Sequence, residues 1–352
     1  MVTRASLTCR NISVRSRRHS RARCADHAPL AVPARDTELS RFMNPCIRPK
    51  SLRPVRDATI LSAIVCTSAF AHFLIQATSH EESFYTQAIE NIWSKKSADL
   101  VRMRQHRNAV IERLPSNDLS DNSAYDLIEP EWSCELEHRF GSTLFAPGDG
   151  PKYVCGIDVL REYDECLIYS IGSSYDFTFE YAVSKVAQNC EIHTFDGTMN
   201  LLDRPLPSNL TMHNIHFHNW NIIADCTSDY DGGHNARCLH RTFESLGHRG
   251  KTISWFKIDC EGCEYEVIPH LLMSSVKVEQ LFIEVHGTTH AQILKLFKAL
   301  WDADFIIFHK ERNHWGCDGY RCVEFSLMSP SYARQVSEQY VRGSWSFHEY
   351  LT

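Results

Sequence analysis

The stretch from Cys166 to Asp176 reads Cys-Leu-Ile-Tyr-Ser-Ile-Gly-Ser-Ser-Tyr-Asp, and it decides the fold of this chain. A short apolar run ends in one glycine and two serines, and a helical pattern follows at once. That pattern has the spacing of a buried helical stripe, formed by Phe179, Ala182, Val183 and Val186. A strand, a tight turn and a helix open the nucleotide-binding α/β folds, in which N–H groups of the turn face a ligand.

The turn also limits the kind of ligand. It has one glycine where a dinucleotide fingerprint has three, so a pyrophosphate-binding G-x-G-x-x-G loop is excluded, while an ordinary strand-to-helix turn stays open. The next apolar stretch, residues 190–195, ends in Asp196, at the distance from Gly172 expected of a ribose-binding acid. Together these features predict a nucleoside ligand without a pyrophosphate, and S-adenosylmethionine (SAM) is the obvious candidate.

Composition and charge narrow the class of protein. The chain has 352 residues and 43% hydrophobic content, so we expect one large domain with appendages. Residues 1–56 contain 13 Arg and Lys against three Asp and Glu. Because the whole chain has a net charge of −6, the residues after this segment are strongly acidic. This charge argues against a nucleic-acid-binding catalytic domain. The basic tail, residues 1–57, lacks apolar periodicity and is expected to be disordered.

Residues 58–77 are mostly apolar and follow Arg53 and Arg56, a pattern typical of a signal anchor. A cleaved signal peptide is the alternative, since Ala69-Phe70-Ala71 fits a small-x-small cleavage site. A buried core helix in a cytoplasmic protein and an Arg-rich mitochondrial presequence are further alternatives. We favour a single-pass membrane protein or a protein of the secretory lumen or extracellular space. There the sequon Asn209-Leu210-Thr211 could carry a glycan.

Ten of the 14 cysteines lie beyond residue 80, an even number that suits an oxidising compartment. Two loops are flanked by cysteine pairs that are predicted local disulfides: Cys226 with Cys238, and Cys317 with Cys322. Cys166 and Cys190 fall in predicted core strands and are interpreted as buried thiols.

From Cys166 onward, strand-like and helix-like stretches alternate. The predicted strands are 166–171, 190–195, 213–218, 253–258, 280–285, 305–308 and 323–328, with a helix at 290–301. Such alternation predicts a largely parallel sheet covered on both faces, with ligands at the carboxyl ends of its strands. A helical stem (78–130) is expected before the catalytic domain (131–330), and a C-terminal extension (331–352) after it.

Polar side chains concentrate where the fourth and fifth predicted strands end. Asp259 and Glu261 follow the fourth strand, and Glu284 and His286 end the fifth. Carboxylates crowded at a sheet edge are costly unless a cation or a polar ligand neutralises them. These four residues are the candidate catalytic group. Two further acids are interpreted as residues that favour a helix N-terminus: Glu264 and Glu266.

Three other motifs are ambiguous. Cys260-x-x-Cys263 lacks the further ligands of a zinc site and the context of a thioredoxin motif, so a structural thiol pair is favoured. Trp220 is equally compatible with stacking on an adenine and with a core position. Three histidines of the third strand are interpreted as packed or solvent-facing rather than as a metal cluster: His213, His216 and His218. No metal ligand is therefore assigned, and a divalent ion is only an option.

Residues 257–264, Lys-Ile-Asp-Cys-Glu-Gly-Cys-Glu, resemble the K-I-D-x-E-G-x-E signature of FkbM-type SAM-dependent methyltransferases. Residues 168–177, 191–196 and 149–155 resemble the methyltransferase-like branch with a membrane-anchored or secreted N-terminus. The resemblance covers about residues 130–328. It implies an α/β class I methyltransferase fold, Rossmann-like, with a mostly parallel seven-stranded sheet, helices on both faces and a reversed final strand.

The resemblance also implies roles for individual residues. Three would line the methionine end of SAM: Gly172, Ser173 and Ser174. Asp196 would hold the ribose, and Asp259 would close the pocket near the transferred methyl. Ser170 stands where the family has an acid, so contact to the SAM amino group is expected through water or from Asp176.

The expected reaction is O-methylation of a small molecule, a glycan or a peptide. Alignment of acceptor and methyl supplies much of the rate of such an in-line displacement. His286 is the candidate base, with Asp259 and Glu284 orienting it or holding a divalent ion. Two alternatives stay open. One is a lumenal glycosyltransferase-like enzyme with a D-x-D triplet at residues 229–231, and the other is a catalytically silent SAM-fold binding protein, favoured by Ser170.

Overall fold

A computed structural model describes residues 56–113, 124–141, 150–231, 233–314, 317 and 321–343, without the side chains of residues 56–81, 230 and 231. The strands belong to the unit formed by residues 67–352. The basic tail predicted at residues 1–57 lies outside the described residues except for its last two, and so does the end of the predicted extension, residues 344–352.

The seven predicted strands are present among the described residues, together with five further short strands that the pattern does not predict. The strands are β1 (Glu137–Phe140), β2 (Lys152–Cys155), β3 (Cys166–Ile171), β4 (Cys190–Phe195), β5 (Ile215–His218), β6 (Asn221–Ile223), β7 (Tyr230–Asp231), β8 (His234–Cys238), β9 (Thr252–Ile258), β10 (Lys277–His286), β11 (Ile306–Arg312) and β12 (Cys322–Met328). The α-helices are α1 (Arg56–Ile111), α2 (Ile157–Arg161), α3 (Thr178–Val186), α4 (Leu239–Ser245), α5 (Glu264–Met273), α6 (His290–Asp302) and α7 (Pro330–Arg342). The third strand is shorter than predicted, because residues 210–213 form a 3₁₀-helix. The five further strands form two small sheets, β1-β2 and β6-β8-β7.

Seven strands form one sheet in the order β11-β12-β10-β9-β3-β4-β5. The central strands β9, β3 and β4 are parallel to their neighbours. β12 runs antiparallel between β10 and β11, which is the reversed final strand that the resemblance implies. The strand order changes direction beside β3, and ligands of open α/β sheets bind at such a switch point.

Two hydrophobic cores cover the two faces of this sheet. Helices α4, α5 and α6 bury one core, to which α6 contributes Ile293, Phe297 and Leu300 as predicted. Helices α2, α3 and α7 bury the other, and the predicted stripe of α3 supplies Phe179 and Val183. Each such large apolar side chain contributes roughly 2 kcal/mol by leaving water. Because apolar residues fill both faces, the central strands read as continuous apolar runs.

The C-terminal end of helix α1 contacts the residues that follow it in the described domain. Within the stem predicted at residues 78–130, the backbone is helical as far as Ile111. The Arg107 guanidinium lies 3.5 Å from the centre of the Trp301 ring, and Arg104 and Arg107 both form ion pairs with buried Glu131. Among the described residues, no helix combines the length and the apolar character that crossing a bilayer requires.

Ten cysteines pair into five disulfides within the described residues: Cys134–Cys155, Cys166–Cys190, Cys226–Cys238, Cys260–Cys263 and Cys317–Cys322. The two predicted local disulfides are confirmed. The interpretation of Cys166 and Cys190 as buried thiols is wrong. Their strands pair in parallel with these two residues in register, which brings their Cα atoms within 4.3 Å.

Candidate active site

The glycine turn after β3 touches the end of β9. Gly172 has φ +79°, and a Cβ atom at this position would lie 1.7 Å from the carbonyl oxygen of Asp259. The Asp259 N–H donates to the carbonyl of Ile171 at 3.0 Å. Only glycine fits between these two backbones, so the turn fixes the start of the acidic segment that follows β9.

Asp196, at the end of β4, holds the same turn from its other side. Its Oδ2 accepts from the N–H groups of Ser173 at 3.1 Å and Ser174 at 2.8 Å, and its Oδ1 accepts from the Thr198 N–H at 2.9 Å. Burial opposes ionisation, but these hydrogen bonds hold the pKa of Asp196 below its usual value. An ionised carboxylate therefore orders the serines of the turn.

These strand ends enclose a cleft of about 640 Å³. Seven of the predicted site residues line it: Gly172, Ser173, Ser174, Asp176, Asp196, Asp259 and Glu261. Four others do not line it: Ser170, Trp220, Glu284 and His286. Asp196 and Asp259 face one cavity from neighbouring parts of the sheet edge, as a nucleoside site at the switch point requires.

Ser170 lies beneath the turn rather than in the cleft. It is fully buried, and its hydroxyl donates to Glu180 of α3 at 2.5 Å. Burial raises the pKa of Glu180, although Lys257 opposes this. The Lys257 ammonium in turn donates to the carbonyl of Gly172 at 2.7 Å. Ser170 is therefore paired with a buried acid of the following helix, Glu180, which does not line the cleft and which nothing in the mainly apolar sequence of that helix marks.

Trp220 is partly buried against one of the two hydrophobic cores and does not line the cleft. Its ring lies 4.6 Å from that of His218, and the Arg237 guanidinium lies 4.2 Å from its centre. The next two residues, Asn221 and Ile222, line the cleft in its place. The core interpretation of Trp220 therefore describes its position.

The acidic end of the cleft is a network of buried charges. The fully buried Lys152 of β2 forms ion pairs with Glu324 and, at 3.8 Å, with Asp259. Burial opposes ionisation of Asp259, yet Lys152 and Lys257 hold its pKa below the usual value. Glu284 lies behind Asp259 and accepts from the Asn313 amide at 2.7 Å. Burial and the charge of Asp259 raise the pKa of Glu284 to about 8, so the Glu284 carboxyl is largely neutral at pH 7.

His286 lies between this network and a second carboxylate. Its backbone N–H donates to Oε1 of the fully buried Glu264 at 2.8 Å, and its ring nitrogen Nδ1 lies 3.2 Å from the same oxygen. Its Nε2 lies 3.3 Å from Glu261 and 3.9 Å from Asp259. Burial alone would lower the pKa of His286, but the bond to Glu264 and the surrounding acids raise it to about 9. Glu264 lies in the first turn of α5 as predicted, but it also positions this imidazole.

The segment between β9 and α5 forms the rim of the cleft. Cys260 and Cys263 both line the cleft and are joined to each other by a disulfide, which gives the pair the structural role that the sequence favours. Glu261 between them has φ +57° and a largely exposed side chain. Of the D-x-D triplet, the Asp229 carboxylate pairs with Arg241 at 3.0 Å and does not line the cleft.

A methyltransferase-domain family matches residues 75–329, so the chain belongs to that family. Membership confirms the predicted class I, Rossmann-like fold and the general activity of a SAM-dependent methyltransferase. No curated protein sequence matches the chain.

The chain is also similar to solved structures, at low identity. A Methanococcus jannaschii fibrillarin pre-rRNA processing protein is 12% identical with a TM-score of 0.33, over 47% of this chain and 67% of that one. The precorrin-6y C5,15-methyltransferase of Geobacter metallireducens is 11% identical with a TM-score of 0.29, over 49% and 83%. The 1,6-didemethyltoxoflavin-N1-methyltransferase of Burkholderia thailandensis is 11% identical with a TM-score of 0.29, over 49% and 76%.

Proposed function

We propose that this protein transfers the methyl group of SAM to a hydroxyl of a small molecule, a glycan or a peptide. One observation carries the proposal. A single cleft joins the glycine turn and Asp196 to the acidic end that contains Asp259 and Glu261. A nucleoside cofactor fits the first part, and reacting groups are available at the second.

The cleft residues fit SAM in charge and in shape. The turn of Gly172 and its two serines would hold the methionine end, and Asp196 would accept hydrogen bonds from the ribose. Bound SAM supplies a methyl group on a positively charged sulfonium. The carboxylates of Asp259 and Glu261 favour a cation at their end of the cleft.

His286 is the proposed base for the acceptor hydroxyl. Its imidazole does not line the cleft, but its Nε2 lies 3.3 Å from Glu261, which does. Glu264 engages its Nδ1, which leaves Nε2 directed to the side of Asp259 and Glu261. A buried carboxylate on one ring nitrogen stabilises the imidazolium that forms when the other nitrogen takes a proton. Glu284 is not placed to touch the acceptor, and we assign it to positioning Asp259 through a shared proton.

We also propose that the catalytic domain lies in the secretory lumen or outside the cell, anchored by or cleaved after residues 58–77. The five disulfides support this compartment. The exposed Asn209 of the sequon supports it as well. Expression in secretory cells tests it, because a glycosidase-sensitive mass should be present and should disappear in Asn209→Gln. Full-length protein with reduced cysteines and no glycan would contradict it.

The enzymatic test measures methyl transfer from SAM to a panel of hydroxyl-bearing acceptors. We expect turnover that rises with pH up to about 9, the pKa of His286, and that falls at least about a hundredfold in His286→Gln. Glu264→Gln should move the pH profile to lower pH. The exposed His240→Gln is the matched control. Transfer from a UDP-sugar instead of SAM would favour the glycosyltransferase reading, and SAM binding without any transfer would favour a silent protein.

A further inference from the structure

A second group of ligating side chains lies on β4 and the loop after α4, away from the cleft. Glu191 and His193 project from β4 on one face of the sheet, and His248 approaches them from the loop that follows α4. One ligand atom of each lies within 4.8 Å of the other two. None of the three lines the methyl-transfer cleft.

The two imidazoles are buried, and the Nδ1 of each has a hydrogen-bond partner outside the group. Both side chains are about 4% exposed. The Nδ1 of His193 lies 2.8 Å from Nε2 of His218, and the Nδ1 of His248 lies 2.8 Å from the hydroxyl of Tyr169. Metal-ligating histidines are usually oriented in this way, by a hydrogen bond on the nitrogen that does not bind the metal.

The remaining donor atoms converge near Glu191. Its Oε1 lies 2.9 Å from Nε2 of His193 and 3.7 Å from Nε2 of His216 on the edge strand β5. His193 and His216 are directly opposite in the β4–β5 ladder. Tetrahedral ligand atoms at zinc bond lengths lie roughly 3.4 Å apart, which is within the span of this group.

We propose that Glu191, His193 and His248 bind a divalent zinc ion, with His216 or water as the fourth ligand. Imidazole and carboxylate donors in a small tetrahedral group suit Zn²⁺ better than Ca²⁺ or Mg²⁺, which take oxygen ligands. The half-exposed Glu191 gives the ion a path from solvent. The site is structural, because it ties the loop after α4 to β4, the strand that leads into Asp196, and with His216 as the fourth ligand it also ties in the edge strand β5.

The test uses the full chain with its disulfides formed, stripped of metal and titrated calorimetrically with ZnCl₂. We expect saturable binding of one zinc ion and a higher melting temperature. Glu191→Gln should weaken binding at least about tenfold without changing the melting temperature of the metal-free protein. The matched control is Glu165→Gln, because Glu165 is an exposed glutamate with a single distant ion pair.

A third variant separates this site from the acids of the cleft. Asp259, Glu261 and His286 could also approach one ion. Glu261→Gln should leave zinc binding unchanged. The proposal is overturned by the absence of saturable binding, by equal affinity in wild type and Glu191→Gln, or by a loss of binding in Glu261→Gln instead.

Discussion

The two ends of the cleft are built from different chemistry. At the turn after β3, one carboxylate, Asp196, is satisfied by N–H groups of neighbouring backbone. At the end of β9, Asp259 is part of a network of buried cations and acids whose protonation states depend on one another. The end at the turn after β3 is suited to recognise a ligand by shape and by fixed backbone dipoles. The end at β9 instead holds charges that respond to pH and to a bound substrate.

The largest effect is expected where the two ends touch. Gly172→Ala places a methyl group against the Asp259 carbonyl and should cost about 4 kcal/mol of unfolding free energy, from the clash plus the strain of positive φ. Gly247→Ala is the matched control. It has a similar φ of +72° with nothing within 4 Å of the added atom, and should cost about 1 kcal/mol. Urea unfolding measures both, and equal costs would mean that the two backbones are not in contact.

Asp259→Asn tests whether stability and methyl transfer depend on the charge at the β9 end of the cleft. The variant leaves Lys152 buried with less counter-charge, so we expect a loss of about 3 kcal/mol in stability together with loss of methyl transfer. The control Asp229→Asn removes an exposed partner of Arg241 and should cost less than about 1 kcal/mol. Similar losses in both variants would argue against a buried charge network.

Two disulfides sharpen the comparison, because one lies at the acidic rim of the cleft and the other at the start of β3 and β4, away from the cleft. Cys166–Cys190 joins residues 24 apart in the sheet, whereas Cys260–Cys263 joins residues three apart at the acidic rim. Loop-closure entropy predicts that replacing both cysteines by serine costs about 1.5 kcal/mol more for the first pair than for the second. Activity should show the reverse order, because only the second pair lines the cleft. Thermal unfolding and turnover of the two double variants decide this point.

The pH dependence of stability tests the charged end of the cleft without any substitution. The pKa of His286 is raised from 6.5 to about 9, so its contribution to stability is full below pH 6.5 and is lost as the pH rises through 9. The pKa of Glu284 is raised from 4.5 to about 8, so its contribution is full below pH 4.5 and is lost as the pH rises through 8. Summed as independent groups, the two shifts lower the unfolding free energy between pH 7 and 9 by roughly 3 kcal/mol in all.

Glu284→Gln is the variant that checks this pH dependence. Glutamine keeps an acceptor for the Asn313 amide but cannot ionise, so the decline in stability between pH 7 and 9 should become shallower. An unchanged decline in the variant would show that Glu284 titrates normally in the folded protein.

Patterns local to the chain were enough to predict the sheet, the glycine turn and Asp259. Apolar runs fix the central strands because they are buried on both faces, and the turn is marked by its glycine. Among the seven predicted strands, the observed ends differ from the predicted ones by at most four residues. The resemblance added the reversed final strand, which periodicity alone does not indicate.

The sequence patterns do not mark several residues that the fold brings next to the predicted site residues from other elements. Lys152 reaches Asp259 from β2, which belongs to a separate two-stranded sheet, and Glu180 reaches Ser170 from the following helix. His248 meets His193 only after the loop beyond α4 packs against β4. Cys166 and Cys190 were assigned as thiols because their pairing depends on the register of two parallel strands, which no local pattern encodes.

The central claim is that one cleft binds SAM between Asp196 and Asp259, and calorimetric titration of the intact chain with SAM tests it most directly. We expect one-to-one binding that Asp196→Asn weakens at least about tenfold and that the exposed-site control Glu165→Gln leaves unchanged. The absence of SAM binding, or equal affinity in wild type and Asp196→Asn, would contradict the claim.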